Sequence, residues 1–288
     1  GWLPELTDIH LESRHLGLVM PDEVADIRKK LLQLAEVISQ TIDLDRLLAI
    51  AQTAPDISGT DPLTNLSGMD RLCGDKLRIG VARDEAFCFL YEDNLRLLER
   101  LGAEIISFSP IRDKQIPVDL DGLIFYGGYP ELYSKELSVN QTMIKSICRA
   151  DADGVPILAE CGGFMYLGDS IEGPDGQVYS MVGLTAGRAY DTGKLGRFGY
   201  LDLTVVQSGG GFFDGYEDIG ILKAHEFHYY DTTDNGSSFH AQKPTGKRTW
   251  DCMISRPNLL AGFPHIYYYA NPKFAQIFLD KCRRRKHL

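Results

Sequence analysis

The chain has 288 residues, 44% of them hydrophobic, and its 30 lysines and arginines against 40 aspartates and glutamates leave a net charge of −10. This is an ordinary globular composition with ample core, and the acidic balance argues against nucleic acid as a partner. No apolar run approaches the ~20 residues that span a bilayer and no signal peptide stands at the start, so no membrane partner is expected.

Six scattered cysteines without C-x-x-C pairs support neither a metal site nor a disulfide framework, and a reduced, cytoplasmic setting fits best. The one basic cluster, Lys281–Lys286, reads as a solvated helix end, where positive charge complements the macrodipole.

In chain order, the sequence opens on Gly1-Trp2 rather than methionine, which points to a piece of a longer protein. Pro21 to about Ile38 has a helical pattern, and Asp43 is a plausible N-cap for a second helix over Leu44–Ala51. Both helices have an apolar face and no sheet of their own to cover. Residues 1–55 therefore read as the helical end of a domain whose strands lie elsewhere. Residues 56–76, rich in Pro, Gly, Ser, Thr and Asp, read as a linker.

A new unit, 77–288, begins with strand 77–82, followed by a helix over 91–101 with an apolar stripe at Leu95, Leu97, Leu98 and Leu101. Strands follow at 103–110 and 122–128, then a helix over 138–150 and a strand over 155–160. This alternation with near-continuous apolar strands predicts an α/β fold, a mainly parallel sheet with helices on both faces. Beyond residue 175, Tyr200–Val206 and Ile221–Tyr230 read as antiparallel strands, with a glycine-rich turn at Gly209–Gly211. A last helix is expected from about Pro272 to Arg285.

The stretch VPILAECGGFMY, 155–166, carries the chemistry. A buried strand turns sharply into a helix at Cys161, with small residues Ala159 and Gly163 on either side, the pattern of a nucleophile elbow. That pattern predicts a thiol held out on a strained corner over a helix N-terminus, where backbone N–H groups favour the thiolate. A second loop at the same sheet edge, Gly127-Gly128-Tyr129-Pro130-Glu131, can turn the Gly128 N–H toward a developing oxyanion, with the N–H of Gly162 as its partner. A nucleophilic cysteine also needs a base. His10, His15, His240 and His287 stand in tail or exposed contexts; His265, His225 and His228 remain open. On a strand, 225 and 227 share one face while Glu226 and His228 share the other.

ARDEAFCFLYEDNL (82–95), YGGYPELY (126–133), AECGGFMYL (159–167), HEFHYY (225–230) and the closing PH–NP segment together resemble the glutamine amidotransferase domain of the cobyrinic acid a,c-diamide synthase family. The resemblance covers essentially the whole chain and implies a class I glutamine amidotransferase-like, flavodoxin-like fold. It makes residues 1–55 the tail of a dethiobiotin synthetase-like domain and 77–288 the amidotransferase domain. By the same resemblance Cys161 attacks the glutamine carboxamide, His265 serves as its base and protonates departing ammonia, and Gly128 and Gly162 hold the oxyanion. Glutamine and a corrinoid or related tetrapyrrole acid are the implied partners in cobalamin biosynthesis, with a homodimer compatible.

Two positions depart from the family pattern. Tyr126 stands where three glycines usually begin the loop, and Tyr267 where many related enzymes carry a glutamate. Glu226 is accordingly the candidate orienter of the histidine, and His228 is left to bind substrate or to pack. ATP and Mg are implied for the full-length synthetase and no cofactor for this chain, since G-x-x-x-x-G-K-[ST] does not occur in it. A γ-glutamyl hydrolase-like Cys-His enzyme and a non-catalytic module are the alternative functional classes.

Overall fold

The computed structural model describes residues 1–7, 9–11, 13, 14, 17–19, 21–56, 59, 76–206, 209–216 and 218–287. The chain divides into two units, 1–64 and 65–288; the expected linker at 56–76 lies almost wholly outside the described residues.

The first unit holds a two-stranded ladder, β1 (Ser13–Arg14) with β2 (Gly17–Leu18), and helices α1 (Ile27–Thr41) and α2 (Leu44–Ala51). The single helix expected from Pro21 is instead a 3-10 turn over Pro21–Glu23, broken from α1 by Asp26 at φ 57°. Asp43 caps α2, its Oδ1 accepting from the Arg46 N–H at 2.9 Å. Neither helix buries a residue, and Leu32, Leu47, Leu48 and Ile50 are all more than half exposed.

The second unit is built on a six-stranded sheet. Its parallel members are β3 (Leu77–Ala82), β4 (Ala103–Phe108), β5 (Gly122–Phe125), β6 (Ile157–Glu160) and, much later, a strand over Leu259–Gly262. Taken in sequence as first to fifth, they lie side by side in the order 2-1-3-4-5, a doubly wound arrangement. Strands β3, β5 and β6 are buried almost throughout, which is why they read as continuous apolar runs rather than alternating ones. Connecting helices are α3 (Glu92–Arg100), α4 (Ser134–Val139), α5 (Gln141–Ala152) and the short α6 (Gly162–Leu167), with α7 (Lys273–Lys286) closing the chain.

Both faces of the sheet are covered. A Cβ on Gly122 would meet Cys282 and Phe278 of α7, whereas its neighbour Leu123 belongs to the core cluster with Ile144 and Ile147 of α5. Successive strand residues point to opposite faces, so the two helices lie on opposite sides. The expected helix over 138–150 is divided at Asn140, whose side chain accepts from the Met143 N–H and donates to Pro110 and Asp113 carbonyls.

After β6 the chain leaves the main sheet and builds two smaller ones, antiparallel but for one parallel pair. One sheet joins β7 (Ser170–Glu172), β8 (Val178–Ser180), β9 (Arg188–Asp191) and β12 (Tyr230–Thr232), the parallel pair being β7 with β9. A second has the order β14-β13-β10-β11-β17, built from β10 (Arg197–Val205), β11 (Leu222–His228), β13 (Phe239–Gln242), β14 (Thr249–Cys252) and β17 (His265–Ile266). The chain re-enters the main sheet through β15 (Ile254–Arg256), its antiparallel edge, and β16 (Leu259–Gly262), its fifth parallel strand. The strand expected over 221–230 is thus two strands serving two sheets, separated at Tyr229. Among the described residues no helix is long and apolar enough to cross a membrane.

Candidate active site

Three neighbouring parallel strands, β5, β6 and β16, run in the same direction, so their carboxyl ends deliver three loops to one edge. After β5 comes Tyr126-Gly127-Gly128, after β6 Cys161, and after β16 Phe263-Pro264-His265. A hydrogen bond from the Cys161 N–H to the Gly262 carbonyl at 2.8 Å ties the second loop to the third.

Cys161 sits at φ 49°, ψ −109°, a conformation that costs a side-chain-bearing residue about 1–3 kcal/mol and is held only when the surroundings enforce it. Here they do. A Cβ on Gly163 would lie 2.1 Å from the Phe125 carbonyl oxygen, so α6 packs directly on the β5 backbone. The expectation of a strained strand-to-helix corner holds in this geometry.

The thiol, however, is not held out in solvent. Cys161 is 3% exposed, and burial, then the nearby charge of Glu131, pushes its pKa well above the usual thiol range. The Gly162 N–H bonds toward the sulfur and offsets this only in part. The predicted thiolate is not favoured here: the residue is buried, and α6 has only six residues, too few for a full dipole.

His265 reaches the same place from β16. A Cβ built on Gly127 would lie 2.6 Å from His265 Cε1, 3.3 Å from its Nε2 and 3.4 Å from Cys161 Cβ. Gly127 thus lies against both the His265 ring and the Cβ of Cys161, and a side chain there would crowd the two. Burial lowers the His265 pKa to about 4, the nearby His228 adding to the effect, so the ring is neutral at ordinary pH. The Gly-Gly loop is pressed onto residues 86–89: the Tyr129 N–H donates to the Ala86 carbonyl at 2.9 Å and the Phe89 N–H to the Gly127 carbonyl at 3.0 Å. Asp84 fixes that segment by accepting from the Ala86 and Phe87 N–H groups, the Ser109 hydroxyl and the Ile111 N–H. Gly128 N lies 3.0 Å from the position a Gly162 Cβ would take, so the two glycine backbones adjoin beside the sulfur.

A neutral thiol beside a neutral imidazole can act together when an acyl carbon arrives. In such a pair a sulfur can attack while the ring takes its proton, and backbone N–H groups nearby can receive the charge of a tetrahedral oxygen.

Residues 78–273 match the CobB/CobQ-like glutamine amidotransferase domain. The chain belongs to that family. Among curated relatives, the cobyrinate a,c-diamide synthase of Caldanaerobacter subterraneus subsp. tengcongensis is 36% identical over 285 residues, an alignment covering 98% of this chain and 60% of the relative. The enzyme of the same name from Fusobacterium nucleatum is 38% identical over 287 residues, covering 96% of this chain and 62% of its own. The chain thus spans about three-fifths of the length of these relatives. A solved glutamine amidotransferase, 17% identical, aligns over 71% of this chain and 98% of its own with a TM-score of 0.49.

Within this amidotransferase domain the carboxylate beside His265 is Glu160, the residue preceding the cysteine. Its Oε2 lies 3.6 Å from His265 Nδ1, and its Oε1 accepts from the Ile266 N–H at 3.3 Å. The spacing would suit an ion pair, but burial drives the Glu160 pKa up to about 8 and that of His265 down, and we assign both as neutral near pH 7. Glu226 is placed otherwise than expected. His225 is in register with His265 across β11 and β17, so those two side chains share a face and Glu226 points to the other. There it lies 3.5 Å from His228 Nε2 and 3.9 Å from an Arg197 nitrogen. His228 packs, its ring stacked on Phe263 at 4.0 Å and its Nδ1 bonded to the Tyr230 carbonyl at 2.5 Å.

Sequence reasoning missed Glu160, hidden beside the residue it attended to, and Gly127, whose importance lies in what it leaves empty. Gly127→Ala is expected to displace the His265 ring and lower glutamine turnover about a hundredfold. Steady-state kinetics on the purified variant would check this, and wild-type turnover would contradict the placement of the ring against Gly127.

Proposed function

We propose that this chain is the glutaminase part of an amidating synthase. Cys161 attacks the glutamine carboxamide as neutral His265 takes the thiol proton, and the ring then passes that proton to the departing ammonia. The Gly128 and Gly162 N–H groups hold the tetrahedral oxygen, and water hydrolyses the glutamyl thioester to glutamate. The observation that carries this reading is that Cys161 and His265 both border Gly127, just past the ends of adjacent parallel strands, in a member of this amidotransferase family. Glu160 is the candidate orienter of the ring; Glu226 acts on it only by its charge from the far face.

The ammonia would be used to amidate acetate carboxylates of cobyrinate or a related tetrapyrrole acid, as the names of the relatives suggest, in the cytoplasm and in a protein that can form a homodimer. Residues 1–55 would be the tail of the ATP-dependent synthetase portion, and the exposed apolar faces of α1 and α2 support that reading. ATP and Mg would serve the synthetase portion of the full-length protein, G-x-x-x-x-G-K-[ST] not occurring in the residues given. No step above passes through them.

The test is incubation with glutamine, following glutamate and ammonia, together with labelling by a glutamine-derived diazoketone. Glutamate release and a single label on Cys161 are expected. Release without labelling at Cys161, or no release from either this chain or a full-length relative under the same conditions, would overturn the reading.

Glu160 makes a separate pH prediction. Its folded pKa is raised, so the stability it contributes is complete below its unfolded value of 4.5 and is lost as pH rises through about 8. Over that window wild-type stability should decline by about 1.4 kcal/mol per pH unit relative to Glu160→Gln, whose side chain cannot ionise. Urea melts of both proteins between pH 5 and 9, run in parallel, would show the divergence; parallel profiles would mean that Glu160 is ionised in the folded protein.

A further inference from the structure

Nothing in the reaction just proposed uses Tyr91 or Asn94, although both stand in one of the segments that carry the family resemblance. They sit three residues apart at the start of α3, Tyr91 as its N-cap and Asn94 in its first turn. Asn94 is fully buried, and its amide is satisfied at both ends by a single stretch of backbone. Nδ2 donates to the Ile266 carbonyl at 2.8 Å, and Oδ1 accepts from the Tyr268 N–H at 2.9 Å. That backbone begins one residue after His265, where the chain passes from the parallel sheet into the antiparallel one through a strand of only two residues. Tyr91 approaches the same histidine from the side. Its ring lies edge-on to His265 at 6.1 Å between centroids, and its hydroxyl is 2.8 Å from Nδ1 of His225, whose own ring is 5.0 Å from that of His265.

We propose that Tyr91 and Asn94 are positioning residues for His265: Asn94 pins the backbone that carries the imidazole, and Tyr91, with His225 fixed by its hydroxyl, sets the plane of the ring. The inference deepens the glutaminase reading and rests on it. The physical need is plain. β17 offers His265 little ladder of its own, Gly127 touches the ring with no side chain that could hold it, and Glu160 stands 3.6 Å away. A ring in that situation is located by what packs on its other flank. The Tyr91 hydroxyl and His225 Nδ1 share one hydrogen bond, and burial keeps both groups uncharged, the phenol protonated and His225 with its pKa lowered to about 4. In the proposed reaction a misplaced base slows proton transfer without changing what holds glutamine, so the defect should fall on kcat and not on KM.

The experiment compares wild type, Tyr91→Phe, Asn94→Ala, Cys161→Ala and the exposed control Arg96→Ala, all in the full chain, by glutaminase kinetics and thermal melts. Tyr91→Phe keeps the ring and removes only the hydroxyl; it should lower kcat about tenfold with KM within about twofold. Asn94→Ala should lower kcat further, and Arg96→Ala should match wild type. Should Asn94→Ala fail to fold, Tyr91→Phe still decides. If Tyr91→Phe keeps kcat within about twofold, or raises KM while kcat holds, the positioning role is wrong and these residues only pack or touch substrate. A Cys161→Ala protein that hydrolyses glutamine like wild type would instead bring down the glutaminase reading itself, whatever the other variants do.

Discussion

Cys161→Ala is expected to reduce glutamine hydrolysis by about ten-thousandfold or more, because no other group can form the thioester and the remaining oxyanion donors act only on a tetrahedral carbon that water forms slowly. The same position makes a prediction about stability that separates geometry from chemistry. Alanine inherits the φ of 49° and ψ of −109° that the elbow imposes, with the full side-chain strain of about 1–3 kcal/mol. Glycine relieves that strain but adds about 0.5–1 kcal/mol of unfolded-state entropy. Relief outweighs entropy on these figures, so Cys161→Gly should be more stable than Cys161→Ala although both lack the sulfur. Urea denaturation of the two variants at pH 7 would measure the difference. An alanine variant more stable than the glycine one would mean that the corner is unstrained and that the elbow assignment is wrong.

The parts of this site legible in the sequence are those fixed by local pattern. An unbroken apolar run announces a strand buried on both faces, and β3, β5 and β6 are such strands. Small residues around Cys161 announce a corner, since only glycine tolerates the Phe125 carbonyl pressing on position 163. What stayed hidden depends on pairings distant in sequence. Strand alternation correctly put Glu226 and His228 on one face, but which face meets His265 is decided by the register of a two-residue strand 40 residues away, and that register aligns His225 instead. The burial of the thiol has the same origin. The Gly127–Pro130 loop lies against Cys161 and Gly162, a placement that periodicity gives only coarsely, and desolvation then reverses the electrostatics expected of a helix N-terminus. The segment 82–95 carried resemblance without a stated role; Asp84, Tyr91 and Asn94 acquire one only when the Gly-Gly loop and the His265 segment are seen against them.

His265 is where the electrostatics have the sharpest consequence. A thiolate–imidazolium pair formed in advance would make alkylation of Cys161 fast at neutral pH and would end when the pair is neutralised. The buried arrangement points the other way: the thiol is pushed up, the imidazole pushed down to about 4, and both are neutral before substrate arrives. His265→Ala should then lower glutamine turnover about a thousandfold, since a proton must leave the sulfur and Glu160, the carboxyl beside the ring, holds its own proton below about pH 8. Simple alkylation of wild-type Cys161 by iodoacetamide should be slower than that of a model thiol at pH 7, while the glutamine-derived diazoketone, which uses the base, should react rapidly and lose that advantage in His265→Ala. The pH profile follows with its sign. As pH falls toward 4 the ring is protonated, the base is lost and turnover declines, so wild-type activity should hold down to about pH 5 rather than fall near the usual histidine value of 6.5. An acid limb centred near 6.5, or fast iodoacetamide labelling that His265→Ala abolishes, would show that the ion pair exists before substrate binds and that burial does not control this site.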